Sequence, residues 1–251
     1  MDYNKEIFDK ETLDKMYENL KTKISEEQIA LLERYFNAAN NFYQIISLKR
    51  ILRIFNDQND EKITEENFLE FAEFANHEEH FYSIVGKEEL YDDEPAVKPI
   101  HRELIHELFL TENELYHIME EEKDGLPYYV PSKDELIKYE DQLYFDETPQ
   151  FKALSGFFER IYNEDDESVE DIMGAVLYVI TSDEYYPSDA IDMIEKACRK
   201  KLKNKYYDEF VNLYCDLNNT TRNPWLNGFT PEERYKKCGD KEASRYLELY
   251  K

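Results

Sequence analysis

The sequence predicts an all-α fold, an irregular multi-helix array or bundle of about ten helices with little or no strand. Three observations carry this. Apolar residues recur at three- and four-residue steps along most of the chain, the period of a helix face packed on a core. Helix-start signals, a Ser or Thr followed three residues later by a carboxylate or amide side chain, recur throughout. The alternation expected of strands is confined to Tyr82–Val85 and Leu126–Val130.

In chain order, Ile7, Leu13, Met16, Tyr17 and Leu20 form a first stripe. Ser25 and Gln28 make a capping box. From there Ile29, Leu32, Tyr35, Phe36, Ala39, Phe42, Tyr43, Ile46, Ile51, Leu52 and Phe55 predict one long helix, bent near Asn40 and Asn41. Thr64 opens a helix bearing Phe68, Phe71 and Phe74. Pro95 and Pro99 punctuate the next boundary, and a helix is expected from about Pro99 to Leu110. Thr111 with Glu114, Ser132 with Glu135, Ser168 with Asp171, Thr148 before Pro149 and Pro187 before Ser188 mark further starts. A stripe runs over Lys203–Leu217, and Thr230 and Pro231 begin a last short helix. Tyr82–Val97 and Asn163–Glu167 read as linkers, and a seam near 125–131 would halve the chain.

The 251 residues hold 57 Asp and Glu against 31 Lys and Arg, a formal charge of −26. Charged residues reach 35%, a leaning toward disorder, but 15% aromatic residues supply the apolar area of a folded core. Residues 196–251 carry thirteen basic and eight acidic residues, a net of +5, which leaves −31 on residues 1–195. The expected organisation is an acidic helical body, 1–195, with a basic C-terminal helical segment, 196–251, packed on it, or one continuous domain. Direct nucleic-acid binding by the acidic body is disfavoured, because phosphates attract cations. The six glycines are too dispersed for a phosphate-cradling loop. The start, MDYNKEIFDKE, lacks a secretory pattern, and no apolar run approaches the roughly 20 residues of a membrane helix. Cys198, Cys215 and Cys238 fit neither a disulfide framework nor a zinc spacing. A cytoplasmic protein with reduced thiols, and no membrane partner, is expected.

Two Glu-x-x-His pairs, Glu103 with His106 and Glu114 with His117, are weak metal candidates. On helices each pair would present both side chains one turn apart, as in carboxylate-bridged di-iron bundles. His77 and His80 with Glu73 form a second weak cluster. Asp57–Phe68 has the acids of a calcium loop, but Lys62 stands at the glycine position and Phe68 at the bidentate glutamate position. No nucleophile elbow is present, so neither catalytic residues nor a cofactor are assigned.

The most specific stretch is Asn218–Glu233, NNTTRNPWLNGFTPEE. It holds the only tryptophan, Gly228 available for positive φ, and Thr230 and Pro231 as helix cap and first helical position. Arg222, Trp225, Asn227, Gly228, Thr230 and Pro231 are the expected interaction or structural hub. The segment resembles the Asn-Asn-Thr-Arg, Trp-x-Asn-x-Gly, Thr-Pro-x-Glu signature of a group of mainly helical low-GC bacterial proteins, many ending in a SEC-C zinc motif. A weaker likeness covers Tyr129–Phe157. Thr221 before Arg222 and Pro224 before Trp225 depart from the signature. The SEC-C ligands are missing, with Lys236, Lys237 and Cys238 at most a remnant, so the resemblance implies no zinc here. The same stretch is similar to the tail of integrase-type transposase domains, whose β-sheet core conflicts with the strand-poor sequence. The expected function is non-enzymatic protein–protein interaction with an unknown partner, for which the acidic body suits a basic one. The alternatives are a DNA-mimic inhibitor of a nucleic-acid-binding protein, phage or defence related, and a carboxylate-bound metal enzyme.

Overall fold

The computed structural model describes residues 5–91, 94–111, 113–162, 166–182 and 186–238. Among them are thirteen α-helices and one three-stranded sheet, so the molecule is broadly all-α. The chain divides into two compact units, Met1–Asp124 with Val130–Tyr144, and Gly125–Tyr129 with Phe145–Lys251. The change of charge at 195/196 falls inside the second unit.

The first unit begins with α1 (Lys10–Lys21), where Asp9 accepts from the Thr12 amide at 2.9 Å. α2 (Glu26–Tyr43) starts at Ser25, whose hydroxyl accepts from the Gln28 amide at 3.1 Å. The expected capping box is half-formed: the Ser25 hydroxyl caps the Gln28 amide, but the buried Gln28 side chain does not accept in return from the Ser25 amide. Buried Phe36 of α2 meets Phe68 and Phe71 of α4 (Glu65–Asn76), with ring centroids 5.5 and 5.0 Å apart. Between those helices come β1 (Ile45–Ser47) and α3 (Leu48–Gln58). After α4 follow β2 (Tyr82–Val85), α5 (Lys87–Leu90), β3 (Glu103–His106), α6 (Glu107–Thr111), α7 (Asn113–Lys123) and α8 (Lys133–Lys138). The Ser132–Glu135 capping box at the start of α8 is present in full.

Two expectations are corrected. The long helix through Phe55 stops at Tyr43, because Gln44 takes a positive φ of 61° and turns Ile45–Ser47 into a strand. The helix expected over Pro99–Leu110 is interrupted by β3, which pairs antiparallel with β1 on one side and β2 on the other. Leu104 and Ile105 point to opposite faces of the sheet and both are buried. With apolar residues on both faces, no alternation marks the strand, and pairing with segments distant in sequence outweighs local propensity. Tyr82–Val85 is extended as expected, whereas Leu126–Val130 forms no strand.

The end of α2 is closed from α7. Lys123 Nζ donates to the Tyr43 carbonyl at 2.6 Å, a group left over at the helix terminus, and to the Ile45 carbonyl of β1 at 3.2 Å. Burial lowers this amine to about 7, opposed only in part by Glu103. Lys5, donating to Tyr82 O at 2.9 Å, is lowered to about 8 for the same reason, opposed by Glu107, Glu78 and Glu79.

The second unit contains α9 (Pro149–Tyr162), α10 (Asp166–Thr181), α11 (Pro187–Met193), a π-helical turn at Ile194–Cys198, α12 (Tyr207–Thr220) and α13 (Pro231–Cys238). Thr148 caps α9, accepting from the Phe151 amide at 3.1 Å. Leu154, Phe158, Ile172, Val176, Phe210 and Tyr214 form the core between α9, α10 and α12. α10 begins upstream of the expected start at Ser168. The Ser168 side chain and linker residues 163–165 lie outside the described residues.

A lysine with a lower pKa folded than unfolded binds fewer protons in the folded state. Stability should therefore rise with pH from about 7 toward the ordinary lysine value. Urea unfolding at pH 6.5 and pH 9 should show wild type gaining on Lys123→Met at the higher pH; a pH-independent difference would refute the account.

Candidate functional site

The loop after α12 is built around Asn223. Its Nδ2 donates to Ile180 O at 3.0 Å and its Oδ1 accepts from the Trp225 amide at 2.8 Å. Its carbonyl accepts from the amides of Leu226 and Gly228 at 3.1 and 3.0 Å. These bonds curl Pro224–Leu226 into a 3-10 turn, and Asn227 and Gly228 reverse the chain at φ 51° and 82°. Asn227 Nδ2 donates to Leu126 O at 3.2 Å, and Asn227 O accepts from the Tyr129 amide at 2.9 Å.

Arg222 lies 3.7 Å from the centroid of the Tyr129 ring and pairs with Glu233. Glu233 also accepts from the Thr230 amide, while Thr230 Oγ1 accepts from the Glu233 amide, each at 3.1 Å. The start of α13 is thus a reciprocal cap whose carboxylate also holds Arg222. The Thr230-x-x-Glu233 spacing was the signal for this partner. Trp225 is only 5% exposed and Pro231 is buried. The structure brings all six sequence-derived hub residues into this one folded-in loop.

The metal candidates are placed differently. Helical spacing was the premise for Glu103 and His106, but on a strand residues three apart face opposite sides. Glu103 accepts from Tyr116 Oη at 2.8 Å, and His106 Nδ1 accepts from the Leu108 amide at 3.2 Å, with burial lowering its pKa. Glu114 is exposed, and the exposed His117 ring lies 4.6 Å from that of Tyr91. His77 stacks on Phe8 at 3.6 Å and donates through Nδ1 to Glu6 O at 2.8 Å. The loop over Asp57–Phe68 is closed by Asn56, which exchanges hydrogen bonds with the Ile63 backbone at 2.8 and 3.0 Å. Among the described residues no group of three His, Cys, Asp or Glu is placed to hold a metal ion.

Burial raises the Cys215 thiol to about 11 and moves Cys198 in the same direction. Both are therefore protonated at neutral pH and weakly nucleophilic. No Asp or Glu is buried among the described residues, so the excess charge lies toward solvent. Two open cavities, of about 300 and 350 Å³, lie one in each unit, at the small end of the range for ligand sites. No described helix is long and apolar enough to cross a membrane. The chain matches no protein-family model, no curated protein and no solved structure.

Trp225→Ala should cost about 3 to 5 kcal/mol, the usual range for emptying a buried aromatic site. Thermal unfolding checks this, and an unchanged melting temperature would refute the docking role of Trp225.

Proposed function

We propose that this chain works by binding another protein, and that its partner presents a basic surface to the first unit. The observation that carries the reading is the placement of acid in that unit. It holds 35 Asp and Glu against 16 Lys and Arg, and none of the described acids is buried. Glu11, Asp14 and Glu18 of α1, Glu26 and Glu27 at the start of α2, and Glu65 and Glu66 at the start of α4 are all exposed. Carboxylates near a helix start are locally favourable, so a few of them are explained by the helix dipole. The remaining excess opposes compactness through self-repulsion and attracts a cationic partner from a distance. Such complementarity acts mainly on association rate and specificity.

The experiment compares the folded wild type with a charge-reversed variant, Glu11→Lys, Asp14→Lys, Glu65→Lys and Glu66→Lys, as baits at low and elevated salt. A partner of basic composition should be captured by wild type, and association with the variant should be about ten-fold slower or more. Equal capture by both baits at both salt concentrations would overturn the reading. Release of the partner by added duplex DNA would identify its nucleic-acid site as the surface engaged and favour mimicry.

A further inference from the structure

The arm before α1, residues 5–9, has no regular structure and is tied to the first unit by a few contacts. Lys5 Nζ donates to Tyr82 O at 2.9 Å, and the Phe8 amide donates to His77 O at 3.1 Å. The Phe8 ring stacks on that of His77, whose Nδ1 donates to Glu6 O. None of the five residues is buried: Lys5 and Phe8 are half-buried, and Glu6, Ile7 and Asp9 are exposed. A segment held by polar contacts and one stack, without a buried apolar side chain, opens at low cost.

The patch under the arm is acidic, and Lys5 fills it poorly. Glu107, Glu78 and Glu79 all act on the Lys5 amine, yet burial outweighs them and lowers it to about 8. Lys5 forms no ion pair with any of the three among the described residues. Glu78 turns to His80 at 3.3 Å, whereas exposed Glu79 and Glu107 have no ion-pair partner among the described residues. Tyr82 is 1% exposed, and its hydroxyl has no hydrogen-bond partner among the described residues. Burial first, and then Glu78 and Glu33, hold that hydroxyl well above the usual tyrosine value, so it keeps its proton within the field of the same acids.

These features restrict what the patch can take. An anion is repelled, and no three of the acids are placed to hold a metal ion among the described residues. An apolar group would leave the Tyr82 hydroxyl unanswered. The open acceptors, a backbone carbonyl, a phenol oxygen and carboxylates from the loop after α4 and from α6, belong to separate elements. The donors of a guanidinium share one plane, whereas an ammonium group directs three N–H bonds apart, and one ammonium is already seated there.

We propose that the arm is an internal stand-in, and that a lysine of the basic partner displaces Lys5 from this patch. The inference rests on the reading of a basic partner for the first unit, and it names the point of engagement and the side chain engaged. The arm then sets the affinity, because a site that is mostly covered binds with its intrinsic affinity reduced by the open fraction.

The test uses the full chain, ¹⁵N-labelled, and N-acetyl-trilysine amide as the probe, with the trialanine and triarginine amides as comparisons. In wild type the trilysine probe should shift the Phe8 amide signal saturably, since the bond to His77 is lost as the arm leaves. Lys5→Met keeps the unbranched stem without its charge and should lower the half-saturation about ten-fold, as for an arm closed roughly nine-tenths of the time. Adding Glu79→Gln and Glu107→Gln to Lys5→Met should raise it again about ten-fold, with the melting temperature unchanged because both side chains are exposed. An unmoved Phe8 signal, equal half-saturation in wild type and Lys5→Met, no effect of the glutamine substitutions, or equally tight binding of the trialanine or triarginine amide would each overturn the proposal. So would loss of trilysine binding in the variant reversed at Glu11, Asp14, Glu65 and Glu66, which would place the peptide on α1 and α4 instead. The probe needs no partner protein, so its failure removes the arm-covered site and leaves the acidic-surface reading to the charge-reversal experiment.

Discussion

The first unit depends on how α2 ends. A helix terminus leaves carbonyls without donors, and here the chain turns away at Gln44 into a strand rather than continuing through another helical turn. Lys123 supplies the missing donor from the last residue of α7 and so ties together α2, β1 and α7 through one nitrogen. Because α2 stops there, Ile45 and Ile46 can pair with β3, and β3 in turn receives β2. The arrangement carries a desolvation cost, visible as the lowered pKa of the amine. Two carbonyl acceptors and the nearby Glu103 charge offset it in part.

Legibility in the sequence followed the range of the interaction. Caps are local, so Ser132 with Glu135, Thr148 before Pro149, and Thr230 before Pro231 were readable and are present. Strand β3 was not, because four residues with apolar side chains on both faces look the same locally as part of a helix. That misreading also lies behind the pairing of Glu103 with His106 as metal candidates, since those two converge only on a helix. Lys123 left no signal at all: nothing in Glu120–Asp124 distinguishes a buried ammonium from the solvated charges around it. The turn at Asn227 and Gly228 and the helix start at Thr230 were legible because their residues each answer a local demand.

Aromatic area and acidic charge, which compete in the composition, are separated in space. The rings of Tyr35, Phe36, Phe55, Phe68 and Phe71 fill the first core, and those of Phe158, Phe210 and Tyr214 the second, while none of the described acids is buried. A chain can therefore be strongly acidic without disorder, provided its apolar residues are large enough to hold a core against the repulsion.

The path of the chain between the units has a further consequence. Residues Gly125–Tyr129 belong to the second unit, yet Val130–Tyr144 returns to the first before the chain leaves it for good. Tyr129 and Leu126 are the groups that Arg222 and Asn227 require, and they are made about a hundred residues earlier. During synthesis the short strap must wait, unfilled, for the loop that will clasp it. In heredity the same interlacing means that no single crossover can exchange one unit intact: a break at 144/145 delivers a second unit without its strap, and a break at 124/125 delivers a first unit without α8.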